Sequence, residues 1–329
     1  MLGPLLFIIY VCDLASRTTG GTLTFADDTK SRQAITGLED RDALQENLEQ
    51  IAEWSRRNNM LLHEQKFEVL NYTLNKTREL REMPFNSEYY MYYTPSGEAI
   101  EPTTCVRDLG VNMTNDASWS THINTITVEA KRLAGWILGV FRDRSEKTMV
   151  TLLKSLLRPK LEYCSPLWSP TKIGDIIKIE TIQRFFTRRI AECQGLNYWE
   201  RLAQLGILSL QRRRERYMII HLWKVYVGLA PNSTGISFYD HLRHGPKARI
   251  PRMINPAQKT VQTLRESSFG IRAAQLFNRM PAEVRHAKSI EIVKIKLGEF
   301  LATIPDLPPV RGYSSPRDNS LVALLTEGS

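Results

Sequence analysis

Between Ile123 and Val140 the apolar residues Ile123, Ile126, Ala130, Leu133, Ile137 and Val140 follow one another at alternating steps of three and four. That spacing returns to one side of an α-helix at every turn, so the stretch is a helix that buries a single stripe. The rest of the chain beyond Trp119 continues in this manner, and helices are predicted over residues 147–167, 173–193, 208–229, 271–279 and 290–303. The chain before Trp119 reads differently. A helix is predicted over residues 4–16, with Pro4 in its first turn where a missing N–H costs nothing. After a Gly20-Gly21 break, strands over 22–26 and 29–35 join at Asp27-Asp28 as a hairpin. An amphipathic helix follows over 40–58, with Leu44, Leu48, Ile51 and Trp54 on one side and Asp40 as its N-cap. Further strands are predicted near 66–73, 89–94 and 104–113. The fold class is therefore α+β. A small antiparallel sheet with helices occupies residues 1–117, an all-α domain 118–230, and a helical C-terminal extension 231–329. Pro-rich loops interrupt the last part at 246–256 and 305–316, and residues 311–329 read as a loose tail.

Charge divides the chain in a similar way. Residues 1–140 carry 13 Lys and Arg against 19 Asp and Glu, a net of −6; residues 141–216 carry 16 against 8, a net of +8; residues 217–329 carry 15 against 8, a net of +7. An acidic first part can hold cations, and a basic second part can hold a polyanion. The four cysteines, Cys12, Cys105, Cys164 and Cys193, form no C-x-x-C pair and have no His at ligand spacing, so no structural zinc is expected. They read as buried free thiols in a reducing, intracellular setting, nucleus or cytoplasm. The apolar opening MLGPLLFIIYVCDL lacks a basic leader region and is too short to span a bilayer. It reads as a buried helix, and no membrane partner is expected.

Two constellations could carry chemistry. Asp27 and Asp28, adjacent at a hairpin tip, place compact negative charge at an exposed point. Such a point suits Mg²⁺, which takes one or two carboxylates and fills its shell with water or phosphate oxygens. An isolated Asp pair is also an ordinary solvated turn. The second constellation is basic. Arg142, Arg144, Lys147, Lys154, Arg158 and Lys160 lie close together, followed by Arg184, Arg188 and Arg189, with Tyr163, Trp168, Phe185 and Phe186 interleaved. Cations neutralise phosphates and aromatic faces stack on unpaired bases; the plain alternative is a solvated face beside core aromatics. The run Arg212-Arg213-Arg214 with Arg216 reads as a surface patch that could contact RNA or serve nuclear import.

The order of these elements resembles the reverse transcriptases of non-LTR (LINE-type, jockey-like) retrotransposons. Gly3-Pro4-Leu5-Leu6-Phe7 is similar to the end of that family's template- and nucleotide-contacting motif, and Asp13-Leu14 to the helix behind it. Phe25-Ala26-Asp27-Asp28 resembles its metal-binding [YF]-A-D-D hairpin. Lys66, after Trp54 and Asn59, resembles the lysine that assists pyrophosphate departure, and Leu109-Gly110-Val111 the strand that grips the primer end. Tyr163, Ser165, Pro166 and Trp168 resemble the family's thumb signature, and Phe277 to Pro281 its late W-N-x-L-P pattern.

The resemblance implies a partial polymerase palm followed by a helical thumb. It implies RNA-directed DNA polymerisation with Mg²⁺ held by Asp27 and Asp28, with Lys66 acting late. RNA template, DNA primer and deoxynucleotides would be the partners, and Lys154, Arg158, Lys160, Arg184, Arg188 and Arg189 would hold the nucleic acid. The chain departs from the family pattern in several respects. His63 and Phe277 stand where Asn and Trp are usual, and Asp13 is the sole acid before Asp27. The family's other metal-binding Asp and its fingers are not present, which implies a C-terminal fragment inactive on its own. A catalytically dead RNA-binding module, or a decayed copy, would keep the same motifs.

Overall fold

The computed structural model describes residues 2–18, 21–72, 91–233, 235–240, 244–250, 266–312 and 318–326. Gly20 and parts of the strands expected near 66–73 and 89–94 lie outside these residues, as does most of the loop expected at 246–256. Helix and strand are mixed, and the chain divides into two compact units, residues 1–118 and 119–329.

The first unit opens with α1, Leu2–Val11, and a 3₁₀ turn, Leu14–Arg17. The expectation of a buried α1 fails. Leu2, Leu5, Leu6, Ile8 and Ile9 are all more than half exposed, because the helix turns Phe7 and Val11 to the small core around Leu14, Ile51 and Trp54, with Tyr10 edge-on against Trp54. Strands β1, Gly21–Phe25, and β2, Asp28–Arg32, pair antiparallel with Thr22 opposite Ser31 and Phe25 opposite Asp28. The next helix, α2, is Leu38–Arg57, two residues earlier than expected. Asp40 is its third residue and not its N-cap; the carboxylate reaches back to accept the N–H of Thr36 at 2.7 Å and of Gly37 at 3.2 Å. Six short strands follow: β3, Val69–Leu70; β4, Tyr92–Tyr93; β5, Ala99–Ile100; β6, Pro102–Thr103; β7, Cys105–Asp108; and β8, Val111–Thr114. The stretch expected as one strand at 104–113 is thus a tight hairpin, β7–β8, turning at Leu109-Gly110. Each ladder in the described residues is two-stranded, so no strand near Lys66 joins the sheet of β1 and β2.

The second unit begins with α3, Ser120–Val140, whose predicted stripe is buried at Ile123, Ile126, Ala130 and Ile137. The helix expected over 147–167 is interrupted. It comprises α4, Glu146–Leu152, one π turn, Leu153–Leu157, and α5, Arg158–Glu162. Pro159 has no N–H to bond Ser155 and its ring would collide with that carbonyl, and the widened turn avoids both. Cys164, at φ +51°, then ends the run before the short α6, Ser165–Trp168. The next helix, α7, is Ile173–Thr187 and stops short of 193; the Arg201 guanidinium takes up the Arg184 carbonyl near its end. Elements not expected include α8, Tyr198–Gln204, and an antiparallel ribbon of β9, Ser237–Tyr239, and β10, Lys247–Arg249. Strand β10 corrects the all-helical reading of the extension. The remaining helices are α9, Leu210–Tyr226; α10, Phe269–Arg279; α11, Ala282–Arg285; α12, Ile290–Ala302; and α13, Leu321–Leu324. A core of Met218, Ile219, Leu222, Trp223, Leu276, Phe277, Val293 and Leu297 joins α9, α10 and α12. Leu321 is fully buried in the same core, so the presumed loose tail carries a docked turn. Among the described residues no helix is long and apolar enough to cross a membrane. The cysteines are free as expected, but Cys12, Cys105 and Cys164 are exposed and only Cys193 is buried.

Candidate functional site

In the first unit the hairpin is held from behind. Asn47 on α2 is fully buried, and its Nδ2 donates to Thr22 Oγ1 at 3.1 Å and Ser31 Oγ at 3.0 Å, one on each strand. The two-residue loop is Ala26-Asp27, with Ala26 at φ +54°. Asp28 is the first paired residue of β2 and not part of the tip, a one-residue shift from expectation. Both carboxylates are exposed. Lys30, farther along β2, forms an ion pair with Asp108, so the β7–β8 hairpin lies beside this one. Leu109 and Gly110, expected on a primer-gripping strand, are instead the loop of that hairpin at φ +44° and +83°, and Val111 is fully paired with Asp108.

Asp13 is already engaged: it accepts the Trp54 indole N–H at 3.0 Å and Arg17 Nε at 2.8 Å. Lys66 is exposed in the 3₁₀ turn Glu64–Lys66, which corrects its expected place on a strand of the hairpin's sheet. Among the described residues no group of three His, Cys, Asp or Glu side chains comes together as a metal site. Asp27 and Asp28 can therefore lend oxygens to one hard cation whose other ligands are water or phosphate. A pair of cations would need a further carboxylate.

In the second unit the expected basic residues separate into surface and interior. Lys154, Arg188 and Arg189 are exposed, and Arg189 lies 5.6 Å over the ring of Phe185. Lys160 is exposed beside Glu129, 3.7 Å away, and Arg184 is half-buried. Arg158 departs from the expectation of a surface phosphate contact. It is 4% exposed, its guanidinium lies 3.4 Å from Gln183 Oε1, and burial pulls its pKa down to about 10. The run Arg212-Arg213-Arg214 corrects more sharply. Arg212 is buried and donates to the carbonyls of Pro305 at 3.0 Å and Asn319 at 3.3 Å. Arg214 is 1% exposed with no hydrogen-bond partner among the described residues. Arg213 instead clasps Glu162, which also accepts the Tyr217 hydroxyl at 3.1 Å.

Two buried acids sit among these cations. Glu180 accepts the Tyr198 hydroxyl at 2.5 Å and the N–H of Leu210 at 3.1 Å, capping α9, and burial pushes it up to about 7. Glu215 accepts the N–H of Leu321 at 3.1 Å and is likewise raised to about 7 by burial.

The signature residues hold the fold in specific ways. Trp168 is buried and its indole N–H donates to the Tyr163 carbonyl at 2.7 Å. Asn278, beside buried Phe277, accepts the Ala248 N–H at 2.8 Å and donates to its carbonyl at 3.0 Å, pairing with β10 as a further strand would. Residues that sequence reasoning passed over lie along one face of α9: Tyr217, His221 and Lys224 follow Arg213 at steps of four, four and three. That polar stripe at helical spacing was the available signal.

No protein-family model matches the chain, and no solved structure matches it. Over 203 residues it is 24% identical to a protein of Drosophila melanogaster described as "Probable RNA-directed DNA polymerase from transposon X-element". The match takes in 59% of this chain and 21% of that protein, so the chain spans about a fifth of the relative's length. The chain is thus similar, over more than half of its own residues, to part of a transposon polymerase.

Proposed function

We propose that the chain is part of the reverse transcriptase of a non-LTR, jockey-like retrotransposon. The first unit would belong to the palm and the second to a thumb and C-terminal extension that hold nucleic acid. The observation that carries this reading is the similarity to the transposon polymerase over 203 residues. The exposed acids at the β1–β2 turn support it. Asp27 and Asp28 would hold Mg²⁺, which stabilises charge on a transferring phosphate when bound, and Lys66 would carry the late proton or charge role. Leu109 and Gly110 would meet the primer from their hairpin loop, with Val111 buried behind them as the first residue of β8. Template RNA and primer DNA would lie on the basic side of the second unit, against Lys154, Arg184, Arg188 and Arg189.

A second reading, a nucleic-acid-binding module without catalysis, is favoured by one observation: among the described residues no further ligand joins Asp27 and Asp28. Both readings require that the second unit bind polyanions by phosphate neutralisation. The 329-residue chain should bind an RNA hairpin with affinity that falls steeply with salt. Replacing Arg184, Arg188 and Arg189 together with Ala should flatten the slope of log K against log salt by about 2 to 3, since each phosphate contact contributes ~0.9. An unchanged slope with lower affinity would assign these residues to folding and remove the interface.

A further inference from the structure

The second unit contains an open groove of about 510 Å³ between the π turn with α5 and the polar face of α9. Its size falls in the range of roughly 300–1,000 Å³ typical of sites for single small ligands. Lys154, Arg158, Arg213 and Lys224 line it against one acid, Glu162, which Arg213 already neutralises. Lys154 and Lys224 have no ion-pair partner among the described residues, so the groove keeps a cationic surplus. Arg158, though deeply buried, has hydrogen bonds among the described residues only at long range to Gln183 and shares the Glu162 carboxylate with Arg213, so an anion would relieve it.

Two further observations point to a ligand of mixed character. Ser165 lines the groove, is fully buried, and its Oγ has no hydrogen-bond partner among the described residues. Buried hydroxyls nearly always find one, so an unmatched one facing a groove is a place for an incoming polar group. Tyr163 also lines the groove and is 55% exposed, a large ring facing solvent. Cations, an orphan hydroxyl and an open aromatic face together match phosphate, sugar and base.

We propose that this groove holds an unpaired nucleotide of a nucleic-acid strand, with phosphate at Lys154, Arg158 and Lys224, sugar near Ser165, and base stacked on Tyr163. The assignment rests on the reading of the second unit as a nucleic-acid binder and adds that it distinguishes a single-stranded end from a duplex. The test uses the full 329-residue chain and fluorescence anisotropy with two RNA hairpins, one blunt and one with a four-nucleotide single-stranded tail. The tailed hairpin should bind about tenfold more tightly, the scale expected when one base stacks on an aromatic ring. Tyr163→Ala should abolish that preference and leave blunt binding unchanged, whereas Tyr163→Phe should keep it; circular dichroism verifies that both variants fold. The pair Lys154→Ala and Lys224→Ala should reduce the salt slope for the tailed hairpin by about 0.7, the contribution of the one strand phosphate they share. Equal binding of the two hairpins by the wild type overturns the proposal, as does a Tyr163→Ala variant that weakens both alike. Millimolar mononucleotide that displaces the tail, and binds equally well without RNA, overturns it in favour of a free-nucleotide site. Failure of the underlying reading is distinct: neither hairpin would then bind with a salt-dependent affinity.

Discussion

Glu180 and Glu215 are carboxyl groups removed from water, and their cost depends on pH. Burial holds both near 7, against an ordinary value of 4.5, even though Arg214 favours the ionised form of Glu180 and Arg212, Arg272 and Arg214 that of Glu215. In the unfolded chain these acids lose their protons around 4.5; in the fold they keep them until about 7. Between those values the folded state binds more protons, so the stability they contribute is full below about 4.5 and is lost as pH rises through about 7. Thermal unfolding followed from pH 5 to pH 8 should show that decline, and Glu215→Gln should shrink it by roughly half while raising the melting temperature at pH 8. An unaltered profile would mean that the carboxyl is ionised throughout. The burial itself was partly legible. Met218, Ile219, Ile220, Leu222, Trp223 and Val225 make the later half of α9 apolar on every side but that of Tyr217, His221 and Lys224. A helix of that kind is largely enclosed, and Arg212 and Arg214 lie one or two turns along the apolar faces. Three consecutive arginines drew attention to charge, and the flexible apolar stem that lets an arginine enter a core leaves no mark of its own.

The short elements show how a turn can hide within a strand. Residues 104–113 alternate well enough to read as one strand, yet Leu109-Gly110 reverses the chain because both adopt positive φ. That is the requirement of a type I′ hairpin loop, for which Asn-Gly is the favoured pair. Leucine at the first position is strained by about 1–2 kcal/mol. Leu109→Asn should therefore stabilise the chain by roughly 1 kcal/mol, read as a shift of the urea midpoint. If Leu109 also meets a primer, the same substitution should weaken hybrid binding while stability rises, a combination that separates its two roles. The β1–β2 hairpin was located by its acids, but its register slipped by one because Ala26 carries no signal for the left-handed conformation it adopts. Pro159 was a visible signal against one continuous helix over 147–167, left unused in that expectation; the chain answers the proline with a π turn and continues.

At the scale of the whole chain, the acids engaged elsewhere bear on activity. Asp13 is occupied by Trp54 and Arg17, and Asp27 and Asp28 have no third ligand among the described residues. The 329-residue chain should therefore fail to extend a primer on an RNA template in the presence of Mg²⁺. Magnesium-dependent incorporation that disappears in Asp28→Ala would refute this. The helical character of the second unit was written in the step of its apolar residues. The docking of its last described turn was not, since the short apolar run Leu321-Val322-Ala323-Leu324-Leu325 carries no sign of its partner Glu215, 106 residues away. That separation sets a schedule for synthesis. At about 5–20 residues per second, a ribosome needs roughly 5–20 s to travel from Glu215 to Leu321. The same delay separates their emergence from the exit tunnel, and until Leu321 follows, α9 lacks the segment that covers its buried carboxyl and the nascent second unit presents an open core to whatever chaperone or protease reaches it first.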